Sequence, residues 1–377
     1  MIEKGKISSY QLGKMMYLAI IPTAILTSPG ITFQYARQDL WISPLWAFTG
    51  VIVVLVILRL HHWFPGQSFT HIWERVAGRT VGRTIGAIYW IFYLYVNGII
   101  VREYGEFIVG AFLLNTPLIV ITGSIVLVCA MAVRGGVEIV GRFADLFLPA
   151  FIVLFLLILL PIIPDLNIEQ MLPVMGQGIM PSITGSFVLQ IWFSELMTIS
   201  YLLPYVHDHD KTGPSIWLTL IAIILTLLIS NLFTLLLLGD LTGSYTFPFL
   251  ILARYINLQD FFTHLESLFM AIWVLCAFVK ICVFYYVTVL GAAQSMGLSD
   301  YRPIVWPLGF LLTVFSLWVA PNYQELAHAI SMSVVFAMLT MFLVLPVFLW
   351  FIAWLKTSGI RRSQRSDDAR SLRGSSQ

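Results

Sequence analysis

The stretch that decides the fold is "AIIPTAILTSPGITF", residues 19–33, inside the first long apolar run of the chain. It carries two prolines seven residues apart, Pro22 and Pro29, and Gly30 follows the second. A proline inside a helix removes a hydrogen bond, and in lipid the freed carbonyl needs another partner. The stretch therefore indicates either a plain kink in a packed helix or a broken helix whose irregular backbone lines a ligand cavity.

Composition places this stretch in a membrane protein. The chain has 377 residues, of which 59% are apolar and 11% charged, and its mean hydropathy is +0.89. Soluble domains are about 25% charged, so this chain cannot cover a soluble surface. The net charge of +2 gives no reason to expect a nucleic-acid partner. Cys129, Cys276 and Cys282 lie in apolar segments without metal or disulfide spacing, which favours core packing.

The apolar runs predict ten transmembrane helices, since one span needs about 20 apolar residues. We therefore expect an all-α polytopic membrane protein. The predicted spans are 11–36, 42–60, 84–113, 116–133, 143–163, 180–204, 214–239, 262–296, 303–320 and 326–355.

The distribution of basic residues predicts the orientation of these spans. With ten spans, 17 of the 21 Lys and Arg residues lie on the side that holds both termini, and only Arg37 and Arg254 lie on the other. The positive-inside rule then makes both termini cytoplasmic. We expect one permease-like domain at 1–355 and a disordered basic cytoplasmic tail at 356–377. The basic residues of the tail are interpreted first as setting topology, and contact with anionic membrane lipid is the weaker alternative interpretation.

The sixth span, "GIMPSITGSFVLQIWFSELMTISYLLP" at 178–204, is a second candidate for a broken helix. Gly185 and the pair Ser194-Glu195 interrupt its apolar run, and Pro181 and Pro204 bracket it. Interrupted helices at corresponding places in two halves are typical of inverted-repeat transporters with a midplane site. The first and sixth spans are such a pair in a 5+5 arrangement.

Charges inside spans are expensive and are candidates for function. Lys280 in the eighth span and Glu195 in the sixth both lie near mid-depth, so their side chains can meet. Glu266 is 14 residues from Lys280, about 21 Å along a helix, and is expected to pair with Arg254 near the outer surface. The third span carries a further group in its outer half: Arg102, Glu103 and Glu106.

Two interpretations of Lys280 stay open from the residues alone. It is either a structural ion-pair partner, or a coupling residue that stands where a sodium ion would sit or carries a proton. Glu195 likewise either completes that pair or contacts a ligand amine. Together with the polar groups of the first break, these positions define a candidate ligand site: Pro22, Thr23, Ala24, Thr27, Tyr95, Asn97, Phe193, Ser194 and Glu195.

The sequence does not indicate a metal site, a cofactor site or an enzyme active site. The cluster "HDHD" at 207–210 lies in a short loop without a companion cluster, so we expect no metal site. No phosphate-binding loop, nucleophile elbow or zinc pattern occurs, so neither a cofactor nor an enzyme activity is expected.

Longer stretches carry a resemblance to a known family. The sequence resembles the spore germination permeases, the B subunits of nutrient germinant receptors in endospore-forming bacteria, within the amino acid–polyamine–organocation superfamily. The resemblance covers residues 5–355. Its matching stretches are "ARQDLWIS" (36–43), "FPGQSF" (64–69), "NTPLIV" (115–120), "GGVEIVGRFADLFLP" (135–149), "MLPVMGQGIMP" (171–181), "FPFLILARYINLQDFFTHLESLFMAIWVLCAFVKICVFYY" (247–286) and "LGAAQSMGLSDYRP" (290–303).

The resemblance implies a LeuT-like 5+5 inverted repeat of ten helices with helices 1 and 6 broken. It also implies a nutrient sensor in the inner membrane of the spore that works with an A subunit and a lipoprotein C subunit. The ligands it implies are amino acids, or for some receptors sugars or nucleosides. Family members tend to carry a Gly-x-Gly-like pattern where this chain has Pro22-Thr23-Ala24, which argues against a standard clamp for an α-amino-acid carboxylate.

Three functions follow from this sequence. The family favours a receptor subunit that binds a small nutrient, an amino acid in the first place, and signals spore germination. The fold permits equally a secondary amino acid transporter, proton-coupled or ion-independent. A channel is the third hypothesis, and the absence of a continuous polar stripe in the seventh span or in 326–355 argues against it.

Overall fold

The structure, a computed structural model, describes residues 3, 5–256 and 265–356. The described residues are almost entirely helical, and their one β-contact is an isolated bridge between Ile7 and Val206. The helices are α1 Ser9–Ala36, α2 Phe48–Trp63, α3 Phe69–Ala77, α4 Arg79–Ala111, α5 Leu118–Gly135, α6 Val137–Ile162, α7 Met180–Ser194, α8 Ile199–Leu202, α9 Thr212–Leu238, α10 Pro248–Tyr255, α11 Leu265–Met296, α12 Arg302–Trp318, α13 Tyr323–Ala329 and α14 Val335–Leu339.

The helices confirm the predicted all-α membrane architecture. Nine helical stretches among the described residues are long and apolar enough to cross a membrane. A tenth, α12, is apolar but has 17 residues. The last stretch alternates α-helix with two π-helical segments, Ile330–Val334 and Thr340–Val344, and continues as α-helix over 345–356. In order and position these ten stretches match the ten predicted spans.

Burial shows which helices form the centre of the bundle. The most apolar window of the first span is 89% buried inside the protein and that of the sixth is 94% buried, against 28% for the fifth and the tenth. A helix that is apolar all round lies either in a core or against lipid. The first and sixth spans are therefore central, and α1 packs against α7, α9 and α11.

The first helix differs from the prediction. α1 continues as α-helix through both Pro22 and Pro29, so the predicted break in the first helix is not present in this conformation. Packing encloses α1 and supplies outside partners for its backbone: the carbonyl of Pro22 accepts a 2.8 Å hydrogen bond from Trp273 Nε1. A Cβ on Gly30 would lie 3.1 Å from the carbonyl oxygen of Tyr245, so this glycine serves close packing.

The sixth span is interrupted, as predicted, at Ser194-Glu195. α7 ends there, the 3-10 turn Glu195–Thr198 follows, and α8 with a second 3-10 turn completes the span. Gly185 was expected to take part in the interruption but lies in regular α-helix. A Cβ on Gly185 would lie 2.7 Å from Ala36 Cβ, so the missing side chain lets α7 approach α1.

We call the end of the bundle where α1 begins the near end, and the opposite end the far end. The segment before α1 lies across the near end: Ile7 N donates to Tyr205 O at 3.0 Å, and His207 N donates to Ile7 O at 3.1 Å.

Most of the predicted disordered tail, 357–377, lies outside the described residues. The prediction of a single domain over 1–355 stays a prediction.

Candidate functional site

A buried ion pair joins three spans at mid-depth. Lys280 Nζ donates to Glu195 Oε2 at 2.8 Å, to Glu195 Oε1 at 2.9 Å and to Thr23 Oγ1 at 2.9 Å. Lys280 is 1% exposed, Thr23 2% and Glu195 3%. An ammonium group has three donors, so Lys280 is fully occupied within the protein. The pairing that depth suggested from the sequence is therefore present, with Thr23 as its third member.

Local structure explains why these side chains meet. Glu195 is the first residue of the 3-10 turn that ends α7. Lys280 and Trp273 are seven residues apart, two turns on one face of α11. Both contact α1, since Trp273 Nε1 donates to the carbonyl of Pro22 and Lys280 donates to the hydroxyl of Thr23. The proline segment of α1 is thus held from α11 at two adjacent residues.

A small cavity lies beside the ion pair. Its polar wall is formed by Glu195, Lys280 and Glu103, and the rest of its wall is apolar except for the indole of Trp192. The cavity volume is about 30 Å³, room for about one water molecule. A nutrient molecule does not fit in this conformation, so binding requires the walls to move apart.

Glu103 stands out in this wall. It is 6% exposed, and its carboxylate makes no hydrogen bond or ion pair with any described residue. Arg102, its neighbour in sequence, is engaged elsewhere: it pairs with Glu106 at 2.7 Å and donates to the carbonyls of Leu317 and Pro321. The sequence marked all three charges as intramembrane, but Glu103 was not placed among the ligand-binding candidates.

Four of the predicted ligand-binding residues are engaged in helix packing. Thr27 Oγ1 donates to Thr23 O at 3.2 Å, and Ser194 Oγ donates to Ile191 O at 2.6 Å. Phe193 packs toward α2, where a Cβ on Gly50 would lie 3.4 Å from its Cβ. Ala24 is fully buried. None of the four side chains belongs to the cavity wall in this conformation, and their ligand contacts stay a prediction.

Tyr95 and Asn97 do not lie at the cavity, where they were expected. Tyr95 is half-buried between the rings of Phe92 and Phe315, at 6.1 and 6.2 Å. Asn97 Nδ2 donates to Ile281 O at 3.4 Å. The physical reason is helical geometry: Val96 faces the cavity, and its two sequence neighbours point about 100° to either side.

Sequence reasoning missed Trp192. Its indole lines the cavity, and its Nε1 donates to Thr23 Oγ1 at 3.3 Å. A buried tryptophan usually finds a partner for its N–H, so a Trp three residues before an intramembrane Glu was the available signal.

A wider vestibule opens at the far end, above the buried cavity. It has a volume of about 380 Å³ and is lined by Glu106 and Gly110 of α4, by the 245–247 loop and by Arg254. The predicted pairing of Arg254 with Glu266 is confirmed, at 2.5 Å. On α4, Phe107 lies between the vestibule and Glu103, and its ring is 4.3 Å from that of Trp273. An aromatic layer thus separates the two spaces.

Comparison with known proteins identifies the family of this chain. A family profile described as spore germination protein matches residues 6–324. The chain belongs to the spore germination protein family. The permease resemblance seen in the sequence is therefore confirmed.

Curated relatives of this spore germination protein come from Bacillus subtilis (strain 168). Spore germination protein KB is 24% identical over 98% of this chain and 100% of its own length. Spore germination protein YndE is 25% identical over 93% of this chain and 98% of its own. The spore germination protein thus matches these relatives from end to end.

A solved transporter shares the fold. Mhp1, a nucleobase-cation-symport-1 family transporter in a closed conformation with bromovinylhydantoin bound, superposes with a TM-score of 0.66. The match covers 92% of this chain and 78% of Mhp1 at 11% identity. It confirms the LeuT-like transporter fold of the spore germination protein, and at that identity it carries no information on the ligand.

Proposed function

We propose that this protein is the B subunit of a nutrient germinant receptor. It binds a small nutrient, an amino acid in the first place, at the mid-depth site around Thr23, Glu195 and Lys280. It passes the signal for germination to an A subunit and a lipoprotein C subunit. On this proposal it lies in the inner membrane of the spore with both termini in the cytoplasm.

One observation carries the proposal: the cavity with a fully buried ion pair lies where the sixth span changes from α-helix to a 3-10 turn and meets the first span. In transporter folds with inverted repeats, substrate sites lie near the midplane on such interrupted helices. Ionisable residues inside a membrane are functional candidates by default. Membership of the germination family supports the receptor role.

The mechanism follows from the volume of the site. A cavity of about 30 Å³ admits no nutrient, so a ligand must select a state in which the walls have separated. The walls belong to the third, sixth, eighth and tenth spans. The Lys280–Glu195–Thr23 cluster ties two of these, the sixth and the eighth, to the first span. Ligand binding beside this cluster therefore changes how these spans pack, and the changed packing is the signal that partner subunits receive.

A secondary amino acid transporter is the second candidate, either proton-coupled or ion-independent. Its specific support is the LeuT-like fold and the vestibule at the far end, which the aromatic layer at Phe107 separates from the site. A transporter additionally has to open at the near end, where the segment before α1 is bound to the end of the sixth span.

Purified protein in proteoliposomes without partner subunits separates the two. Amino acids, sugars and nucleosides are screened for a rise in melting temperature, and the best ligand is then tested as a radiolabelled substrate for uptake. Stabilisation without uptake supports the receptor, and stabilisation with uptake supports the transporter. Failure of all three ligand classes to stabilise the protein contradicts binding at this site.

A further inference from the structure

We propose that Glu103 binds the ammonium group of the ligand, and that the site takes protonated primary amines with an apolar body. This inference rests on the proposed function, because it names the ligand class of the same cavity. It concerns a residue that the sequence marked as an intramembrane charge without placing it in the ligand site, and for which the comparisons indicate no role.

The first argument is the balance of charge. Lys280 donates all three of its N–H groups to Glu195 and Thr23, and each carboxylate oxygen of Glu195 accepts one of these hydrogen bonds. Glu103 is 94% buried in the same wall and has no partner among the described residues, so two carboxylates face one ammonium. A buried carboxylate without a partner is costly, and an incoming ammonium group removes that cost.

The second argument is the chemistry of the remaining wall. Apolar side chains from α4, α7 and the last span complete it, among them Ile99, Ile100, Ile191 and Met338. These contacts suit a hydrocarbon body. No described side chain of this wall offers an unengaged cation to a carboxylate, since Lys280 is saturated. Among its side chains, the site as built therefore offers an unengaged partner to the ammonium group of a ligand and none to a carboxylate.

The third argument concerns room and access. Ile330 and Val334, which close the cavity on one side, begin and end a π-helical segment. Such segments often mark functional positions in helices, and this wall is where we expect the cavity to enlarge. Glu103 and Gly110 are seven residues apart on α4, about two turns, so they lie on the same face of the helix. Their positions are separated by about 10 Å along the helix axis. One face of α4 thus runs from the vestibule to Glu103.

The test compares isobutylamine with isobutanol, which has the same body and no charge, on wild-type protein in proteoliposomes at pH 7. Melting temperature is followed against ligand concentration, because a ligand at concentration c that binds the folded state stabilises it by RT ln(1 + c/Kd), so the concentration dependence reports the Kd. We expect isobutylamine to stabilise the protein and isobutanol to do so at least about tenfold more weakly, the usual loss for a missing charged hydrogen bond. This comparison needs no variant.

The variant Glu103→Gln then tests the residue, with Glu106→Gln as the matched control on the same helix. We expect Glu103→Gln to weaken isobutylamine at least about tenfold and to leave isobutanol unchanged, and Glu106→Gln to change neither by more than about twofold. Equal binding of amine and alcohol overturns the proposal. An unchanged amine affinity in Glu103→Gln also overturns it. This includes the case in which Glu103→Gln is more stable than wild type without ligand but binds isobutylamine equally well, since Glu103 would then be a proton site and not an amine site.

The two proposals fail separately. If sugars or nucleosides stabilise the wild type and isobutylamine does not, the ammonium site is overturned and the nutrient site stands. If neither isobutylamine nor any nutrient class stabilises the wild type, the ammonium site and the nutrient site are both overturned.

Discussion

At the scale of single residues, the buried Lys280–Glu195 pair has a large energetic consequence. Both charges are almost completely buried and lie inside a membrane span. Removal of one partner from such a pair typically costs about 3–5 kcal/mol, because the other charge stays buried, whereas apolar replacement of both is often neutral. This asymmetry separates a structural role from a functional one.

We predict that Lys280→Met destabilises the protein by about 3–5 kcal/mol and that the double variant Lys280→Met/Glu195→Met recovers most of that stability. Both variants are expected to lose the response to ligand, because both break the ion pair at the site. Thermal unfolding measures the first effect, and ligand-induced stabilisation the second. Arg254→Met at the exposed far-end pair is the control, with an expected change below about 1 kcal/mol. A double variant that recovers stability and still responds normally contradicts a functional role for the pair.

At the scale of the elements, the contact between α1 and α7 depends on a glycine. A Cβ on Gly185 would lie 2.7 Å from Ala36 Cβ and 2.9 Å from Ser43 Oγ, whereas a Cβ on Gly110 would meet nothing within 4 Å. Both glycines have helical backbone, Gly185 inside α7 and Gly110 in the last turn of α4, so an alanine strains the backbone at neither position.

We predict that Gly185→Ala costs about 1–3 kcal/mol through overpacking and that Gly110→Ala is neutral or stabilising. The two variants are compared by thermal unfolding. Equal stability of the two would mean that α7 shifts away from α1 without cost, and that the close approach is not required.

The segment before α1 is the second element with a measurable contribution. Ser8 and Gln11 form a capping box at the start of α1, and Asp208 Oδ1 accepts from Ser9 N at 2.6 Å. Burial raises the pKa of Asp208, but the hydrogen bonds from Ser9, a backbone hydrogen bond of its own and the charge of His207 together lower it more, so the pKa lies below its ordinary value of 3.8. The folded state therefore favours the charged form of Asp208.

We predict that Asp208→Ala destabilises the protein by about 1 kcal/mol at pH 7. Because the folded-state pKa is depressed, this contribution is complete above the unfolded value of 3.8 and disappears as pH falls through the folded value. The difference in melting temperature from wild type is measured between pH 3 and pH 7, with exposed Asp210→Ala as control. A difference that does not shrink at low pH would show that the charge of Asp208 is not its source.

At the scale of the whole molecule, topology depends on α12. Its 17 residues extend about 25 Å, somewhat less than the roughly 30 Å of the hydrocarbon core. A short span is accommodated by local thinning or by flanking residues that reach the interface. If α12 crosses, the two termini lie on the same side, and if it does not, they lie on opposite sides.

We predict that both termini are cytoplasmic. Reporter fusions at the N-terminus and after Lys356, one active only in the cytoplasm and one only outside it, measure the two sides independently. The basic residues support this outcome, since 17 of 21 lie on one side only when ten spans are counted. Fusions that report opposite sides would contradict both the ten-span topology and the assigned orientation.

Much of this protein is determined by its sequence alone. The number and order of the helices, the pairing of the first and sixth spans and the interruption at Ser194-Glu195 followed from it. Depth in the membrane allowed Lys280 and Glu195 to meet without deciding that they do. The bilayer explains this success, because it requires each span to be a helix of fixed length and so turns sequence position into depth. Two charges at equal depth inside an apolar bundle have a strong reason to pair.

Only the tertiary structure decided what depends on rotation about a helix axis and on enclosure. Depth alone does not say that Glu103 faces the cavity while Arg102 turns to Glu106, or that Tyr95 lies among aromatic rings away from it. Nor does a pair of prolines say whether a helix breaks, because α1 stays continuous through both Pro22 and Pro29 while neighbouring helices enclose it. These outcomes are set by the packing of neighbouring helices, which no local pattern in the chain records.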